Sequence, residues 1–219
     1  MTTNHRRAPI IFIVDDDDAV RSALKLLLRS HDLPSTAFAL ARDFLEAYDL
    51  DQPGCVLLDV RMPDLDGLEL QRELSARGAV IPVIFITGHG DIPMAVEAIS
   101  RGAFDFLQKP FNDYDLVDRV RRALVADVVR RMKLTQTTQI RARLHSLTLR
   151  EQQILRRVTV GQANKVMAAD LGVSQRTVEI HRAHLMQKME AASLAELVRM
   201  VILVDESGAE GSVERHASR

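Results

Sequence analysis

The stretch IIFIVDDDDAVR, residues 10–21, decides how the first half of the chain is read. Five apolar residues run directly into four aspartates, and the chain then turns amphipathic. An unbroken run of Ile, Phe and Val is the pattern of a strand buried on both faces. Val20, Leu24, Leu27 and Leu28 follow at helical spacing, which predicts a helix straight after the acids. Asp17 or Asp18 stands where a helix N-cap belongs. Four adjacent carboxylates repel one another, so something positive must sit among them.

The same strand-then-helix alternation recurs outward from this stretch. STAFA (35–39) reads as a weaker strand, and residues 41–48 as a short helix. CVLLD (55–59) is a third strand, before a helical frame over 65–77 that carries Leu68, Leu70 and Leu74. VIFIT (83–87) is a fourth strand, with a helix near 93–101. FDFLQ (104–108) is a fifth. A closing helix runs from Asn112 to about Val125, with Leu116, Val117, Val120 and Leu124 on one side. Five such repeats predict a parallel sheet with helical crossovers.

Ligands of open parallel sheets bind beyond the carboxyl ends of the strands. Those ends deliver Asp15 and Asp16, then Asp59, then Thr87, then Lys109 ahead of Pro110. Three carboxylates, a hydroxyl and an ammonium suit Mg²⁺ together with a phosphoryl group. Asp59 is the candidate nucleophile, because an aspartate can form an acyl phosphate. Lys109 and Thr87 are placed to meet phosphoryl oxygens. His89, in TGHGD, reads as a loop residue near that edge.

Bulk properties divide the chain. Residues 1–125 hold 14 Lys and Arg against 20 Asp and Glu, a net of −6, and residues 126–219 hold 15 against 10, a net of +5. A length of 219 residues with that asymmetry predicts two domains, one with an anionic partner. The single cysteine, Cys55, excludes an internal disulfide framework and reads as a small buried hydrophobe in a reducing cytoplasm. No apolar run reaches bilayer length, and MTTNHRRAP lacks the core of a signal peptide, so a cytoplasmic protein with no membrane partner is expected.

The second half has no strand runs. Residues 126–145, containing TQTTQ, read as an exposed linker that is helical in part. LTLREQQILRRV (147–158) opens with Thr148 and Glu151 at capping-box spacing. NKVMAADLGVSQRTVEIHRAHLMQKM (164–189) reads as a helix over 165–171, a turn through Gly172 and Val173, and a second helix capped by Ser174. Paired short helices joined in this way are the helix-turn-helix pattern. Val178, Leu185 and Met189 are spaced to face inward, leaving Gln175, Arg176, Glu179, Arg182, Ala183 and Lys188 outward. Lys165, Arg176, Arg182 and Lys188 suit phosphate contacts. From Ser207 the chain has little to bury and is expected to be disordered.

IFIVDDDDAVR, LLDVRMPDLDGLEL, VIFITGHGDIPMAVEAI and GAFDFLQKPF resemble the receiver domain of two-component response regulators, over about residues 8–125. The basic half resembles the LuxR-type DNA-binding domain over about 146–206, and the whole chain is similar to the FixJ subfamily. The resemblance implies a flavodoxin-like (βα)5 doubly wound receiver, then a four-helix DNA-binding domain. It implies Asp59 as phosphoacceptor for a sensor histidine kinase. It also implies Asp15, Asp16, Asp59 and the Arg61 carbonyl as Mg²⁺ ligands, Thr87 and Phe106 as the switch pair, and a cis Lys109–Pro110 bond.

In the second domain the resemblance implies base reading around Glu179, Ile180, Arg182 and Ala183. It also implies phosphate contacts at Lys165, Arg176, Thr177 and Lys188. It further implies a homodimer on phosphorylation, formed on the helix after strand four, strand five and the last receiver helix. Promoter DNA and RNA polymerase are the implied partners, and the receiver's only catalysis would be its own phosphoryl transfer and dephosphorylation. Gln108 departs from the acid or other polar residue frequent there, and Leu149 from a frequent proline.

Two other readings differ in class. A Mg²⁺-dependent phosphohydrolase would need a second acid two residues after the nucleophile, where this chain has Arg61. A helical domain that binds protein rather than DNA would leave the basic face merely solvated. No GxxxxGK loop and no HExxH or Cys/His ligand spacing occurs.

Overall fold

The computed structural model describes residues 7–88 and 92–216, with the side chain of Ile92 and those beyond Glu206 left aside. His89 therefore lies outside the described residues. The chain divides into two compact units, Met1–Arg131 and Met132–Arg219.

The first unit is built on β1 (Ile10–Val14), β2 (Ser35–Phe38), β3 (Gly54–Leu58), β4 (Val83–Thr87) and β5 (Asp105–Gln108). All pairings are parallel, in the order β2-β1-β3-β4-β5. Successive side chains in a strand point to opposite faces, so each apolar run serves two cores. Ile11, Ile13, Cys55, Leu57, Ile84 and Ile86 pack under α1 (Asp18–Ser30) and α5 (Asp113–His145), meeting Leu24, Leu28, Leu116 and Val120. Phe12, Val14, Val56, Leu58 and Phe85 pack under α2 (Ala41–Ala47), α3 (Gly67–Ala76) and α4 (Ile92–Ser100), meeting Phe44, Leu70 and Ala98. Cys55 is buried in the core under α1 and α5, and burial pushes its thiol far above the usual range, so it is chemically quiet.

The second unit packs α6 (Leu149–Val158), α7 (Asn164–Leu171), α8 (Gln175–Met189) and α9 (Leu194–His216) around Ile154, Met167, Val178, Leu185, Met189 and Leu197, with Ile140 and Leu147. Thr148 caps α6 through a complete capping box with Glu151. Leu149, at the first helical position, is exposed and takes no part in that cap, so the absent proline leaves α6 properly started.

In two places helix extends further than the sequence reading placed it. The stretch 126–145 is helical throughout as the end of α5, and Asp127, Thr137 and Ile140 are buried in it. Once a helix is nucleated, extending it is far easier than starting it. The same reason carries the backbone of α9 past Ser207 to His216.

Candidate functional site

In the strand order the connections reverse direction between β1 and β3, the position where open sheets bind ligands. Val14 and Leu58 are register partners, so the next residues, Asp15 and Asp59, emerge side by side. The Asp59 N–H donates to the Val14 carbonyl at 2.8 Å, which ties the two strand ends. Asp15 is 3% and Asp59 8% exposed, so both acids are withdrawn from bulk water.

Lys109 comes from the end of β5, where its own N–H bonds the Thr87 carbonyl at 2.8 Å. Its Nζ lies 2.8 Å from Asp15 Oδ2 and 3.3 Å from Asp59 Oδ1. The Lys109–Pro110 bond is cis. Burial pushes the Asp59 carboxyl above its usual range, with Asp15 adding to the rise, against the Arg61 N–H and Lys109, which lower it. Burial alone would lower Lys109, but Asp15 and Asp59 hold its ammonium above its usual range.

The loop after β3 is held at several points. The Arg61 N–H donates to Asp59 Oδ2 at 2.7 Å. The Gly67 N–H donates to the Val60 carbonyl at 2.9 Å. A Cβ on Gly67 would fall 2.3 Å from the Asp59 carbonyl oxygen, so only glycine fits against the acceptor's backbone. Asp66 caps α3 through a capping box. Asp64 was not singled out from sequence, yet its Oδ2 accepts from the Arg42 N–H at 3.2 Å. It thereby caps α2, whose own N-cap residue, Leu40, supplies no side-chain bond.

The four aspartates have separate work. Asp17 is the N-cap of α1, accepting from the Ala19 N–H at 2.8 Å and the Val20 N–H at 3.4 Å. Asp18 is in the first turn, where acids favour the helix dipole. Asp15 takes the Lys109 ammonium, and Asp16 stands exposed beside it. The positive charge that the run required is Lys109 and, unforeseen, Arg21. Arg21 ends the opening stretch at helical i,i+3 spacing from Asp18, which was the available signal.

Thr87 is 1% exposed at the end of β4. Phe106 is half-buried on β5, its ring centroid 6.5 Å from that of Phe85. Among the described residues no three Asp, Glu, His or Cys side chains form a metal-holding group. Mg²⁺ asks less, taking one or two carboxylates with water and phosphate oxygens. Asp15 and Asp59 converge on one ammonium, and Asp16 and the Arg61 carbonyl add oxygen donors nearby in the chain. The donor set is all hard oxygen and fits that ion.

In the second unit, Gly172 has φ 63° and ends α7 in the left-handed region, which turns the chain within two residues into α8. Ser174 caps α8, accepting from the Thr177 N–H at 3.0 Å. Val178, Leu185 and Met189 are buried, as their spacing requires. Lys165, Gln175, Arg176, Ile180 and Ala183 are exposed, while Thr177, Glu179 and Arg182 are half-buried. Arg182 donates to the Asn164 side chain, and Arg176 lies 3.7 Å from Glu179.

Residues 11–121 match the response regulator receiver domain family, and residues 145–201 match the family of bacterial regulatory proteins of the luxR type. The chain belongs to the response regulators. Among its relatives, the transcriptional regulatory protein FixJ of Azorhizobium caulinodans is 48% identical over 194 residues, covering 88% of this chain and 92% of FixJ. The response regulator protein TodT of Pseudomonas putida is 44% identical over 194 residues, covering 89% of this chain and 86% of TodT. The solved structure of the response regulator StyR is 44% identical with a TM-score of 0.77, covering 88% of this chain and 98% of StyR. Full-length FixJ from B. japonicum is 39% identical with a TM-score of 0.55, covering 91% and 98%. This response regulator therefore joins a phosphorylation-type receiver to a LuxR-type DNA-binding domain, and these families are not classical enzymes. Among the described residues no helix is long and apolar enough to cross a membrane.

Lys188 has a partner that the sequence reading did not name. Lys188 is exposed, as its helical position requires, and its Nζ also lies 2.7 Å from Glu151 Oε2, itself 3% exposed. Helical spacing places a residue on a face, but only the packing of α6 on α8 shows what lies across from it. Burial would raise the Glu151 carboxyl, yet Lys188 and Thr148 hold it below its usual range. A depressed carboxylate contributes stability above its unfolded pKa and loses it as pH falls through the folded one. Acidification below the ordinary value of 4.5 should therefore weaken the second unit. Thermal unfolding of the full chain across that range should show a steeper acid loss than Glu151→Gln does, and equal slopes would exclude this contribution.

Proposed function

We propose that this response regulator is phosphorylated on Asp59 by a partner sensor histidine kinase. The observation that carries this is Lys109 Nζ meeting both Asp15 and Asp59 at the switch point of the sheet. An Asp59 carboxylate oxygen attacks phosphorus, the P–N bond of the phosphohistidine breaks, and the imidazole leaves with the electron pair. Mg²⁺, held by Asp15, Asp16, Asp59 and the Arg61 carbonyl, would supply charge neutralisation at the phosphoryl oxygens. Lys109 balances the remaining charge, and the Thr87 hydroxyl bonds a phosphoryl oxygen. Slow hydrolysis of the acyl phosphate is the only other chemistry assigned to the receiver.

Thr87 and Phe106 then shift together and favour a receiver homodimer on α4, β5 and α5, because phosphate binds one of the two states better. Two second units brought together fit a two-fold DNA site. α8 enters the major groove with Glu179, Ile180, Arg182 and Ala183 towards base edges. Ile180, 44% exposed, suits a thymine methyl. Lys165, Gln175, Arg176 and Thr177 contact the backbone. The ion pair with Glu151 leaves Lys188 a minor phosphate role. Promoter-bound dimers would engage RNA polymerase in the cytoplasm.

Sedimentation velocity with MgCl₂, before and after acetyl phosphate, tests the switch. The expected result is a monomer-to-dimer shift that is lost in Asp59→Asn. A shift that persists in that variant would remove Asp59 from the scheme.

A further inference from the structure

The acidic run holds more charge than cation binding requires. Asp17 is committed to the α1 cap, and among the described residues Lys109 forms ion pairs only with Asp15 and Asp59. A second cation enters from α1. Arg21, with a side chain 16% exposed, donates from Nη1 to the Asp15 backbone carbonyl and from Nη2 to Asp18 Oδ1, both at 2.8 Å.

We infer that Arg21 sets the divalent-cation affinity of the acidic edge as a fixed counter-charge, not as a ligand. This rests on the Mg²⁺ reading of Asp15, Asp16 and Asp59. The backbone of the turn is already secured without Arg21. The Asp15 N–H donates to the Phe38 carbonyl at 3.2 Å, and the Asp17 N–H to Asp15 Oδ1 at 2.9 Å. The geometry of the turn therefore has several supports, whereas the charge of the guanidinium has no substitute on α1's side of the run. Among the described residues, the ion pairs of Asp15, Asp18 and Asp59 involve only Lys109 and Arg21.

A like charge held beside a bound divalent ion weakens its binding. It also relieves repulsion among the acids when the ion is absent. Arg21 thus keeps cation binding weak and exchangeable while letting the metal-free turn fold. Arginine suits this role because it stays charged at any working pH and bridges two acceptors with one rigid fork.

The test is calorimetric titration of the full chain with MgCl₂ at constant ionic strength. Arg21→Gln removes the charge while leaving a shorter polar side chain with an amide donor, and Arg21→Lys keeps the charge but loses the fork. Arg21→Gln should bind Mg²⁺ roughly three- to tenfold more tightly and melt earlier without metal. Arg21→Lys should stay within about twofold of the parent. An unchanged or weaker affinity in Arg21→Gln overturns the inference, because the guanidinium would then be screened or would act by positioning. Arg21→Met is a second uncharged variant with the same expected direction. If the parent chain shows no Mg²⁺ binding that Asp16→Asn and Asp59→Asn remove, the Mg²⁺ reading fails, and the inference fails with it.

Discussion

Asp59→Asn is expected to abolish phosphate uptake from acetyl phosphate and, at neutral pH without metal, to raise the melting temperature. The first effect follows from chemistry, since a carboxamide cannot replace the carboxylate nucleophile. The second follows from burial, which pushes the Asp59 carboxyl above its usual range despite Lys109 and the Arg61 N–H. A raised carboxyl contributes stability that is present below the unfolded pKa and lost as pH rises through the folded one. At neutral pH the ionised group is therefore a cost to the fold, and the neutral amide removes it. The amide oxygen still accepts the Arg61 N–H, and Lys109 keeps Asp15 at 2.8 Å. The gain in melting temperature should shrink on acidification, because the parent's own carboxyl then becomes neutral. Differential scanning calorimetry against pH, beside labelling with ³²P-acetyl phosphate, measures both effects. A variant that melts at or below the parent at neutral pH would show that the Lys109 pair outweighs the burial of the acid.

Replacing Asp127 should produce a large loss of stability in the first unit. Asp127 is 1% exposed and accepts the Gly54 N–H at 3.0 Å and the Arg131 Nε–H at 2.9 and 3.0 Å. Arg131 also donates to the carbonyls of Leu50 and Gln52, each at 2.8 Å. One ion pair thus gathers the segment before β3 onto α5, at the edge of the sheet opposite Asp59. Asp127→Ala removes the guanidinium's carboxylate counter-charge and orphans a buried N–H. Removing one partner of such a pair costs about 3–5 kcal/mol. Replacing both partners with apolar residues, as in Asp127→Leu with Arg131→Met, should cost less than the single change, since no charge is left unpaired. Equilibrium urea unfolding measures each variant. A loss under about 1 kcal/mol for Asp127→Ala would mean that water reaches Arg131 and replaces the carboxylate.

This network also marks the limit of what can be read along the chain. Asp127 and Arg131 stand four apart in a polar, basic stretch that by pattern reads as linker. Nothing local distinguishes them from a solvated surface pair. Their partners, Tyr48 to Gly54, are separated from them by most of the sheet in sequence. Glu151 and Lys188 are similar, since each belongs to a different helix and only packing brings them together.

The sequence alone determined the strands, their parallel order of use and the residues at their carboxyl ends. Buried parallel strands must be continuously apolar, and the residue that follows each one must emerge at a common edge. Asp15, Asp59, Thr87 and Lys109 were legible for that reason, as were the Ser174 cap and the turn at Gly172. The motifs in turn gave the family, because their text is specific over both halves. Tertiary structure alone decided which charge meets which. It gave Arg21 to the Asp15 carbonyl, Asp64 to the start of α2, Arg131 to the carbonyls of Leu50 and Gln52, and Lys188 to Glu151. The physical reason is range. Periodicity and propensity are local properties of the chain, whereas an ion pair between elements depends on the distance that packing sets between them.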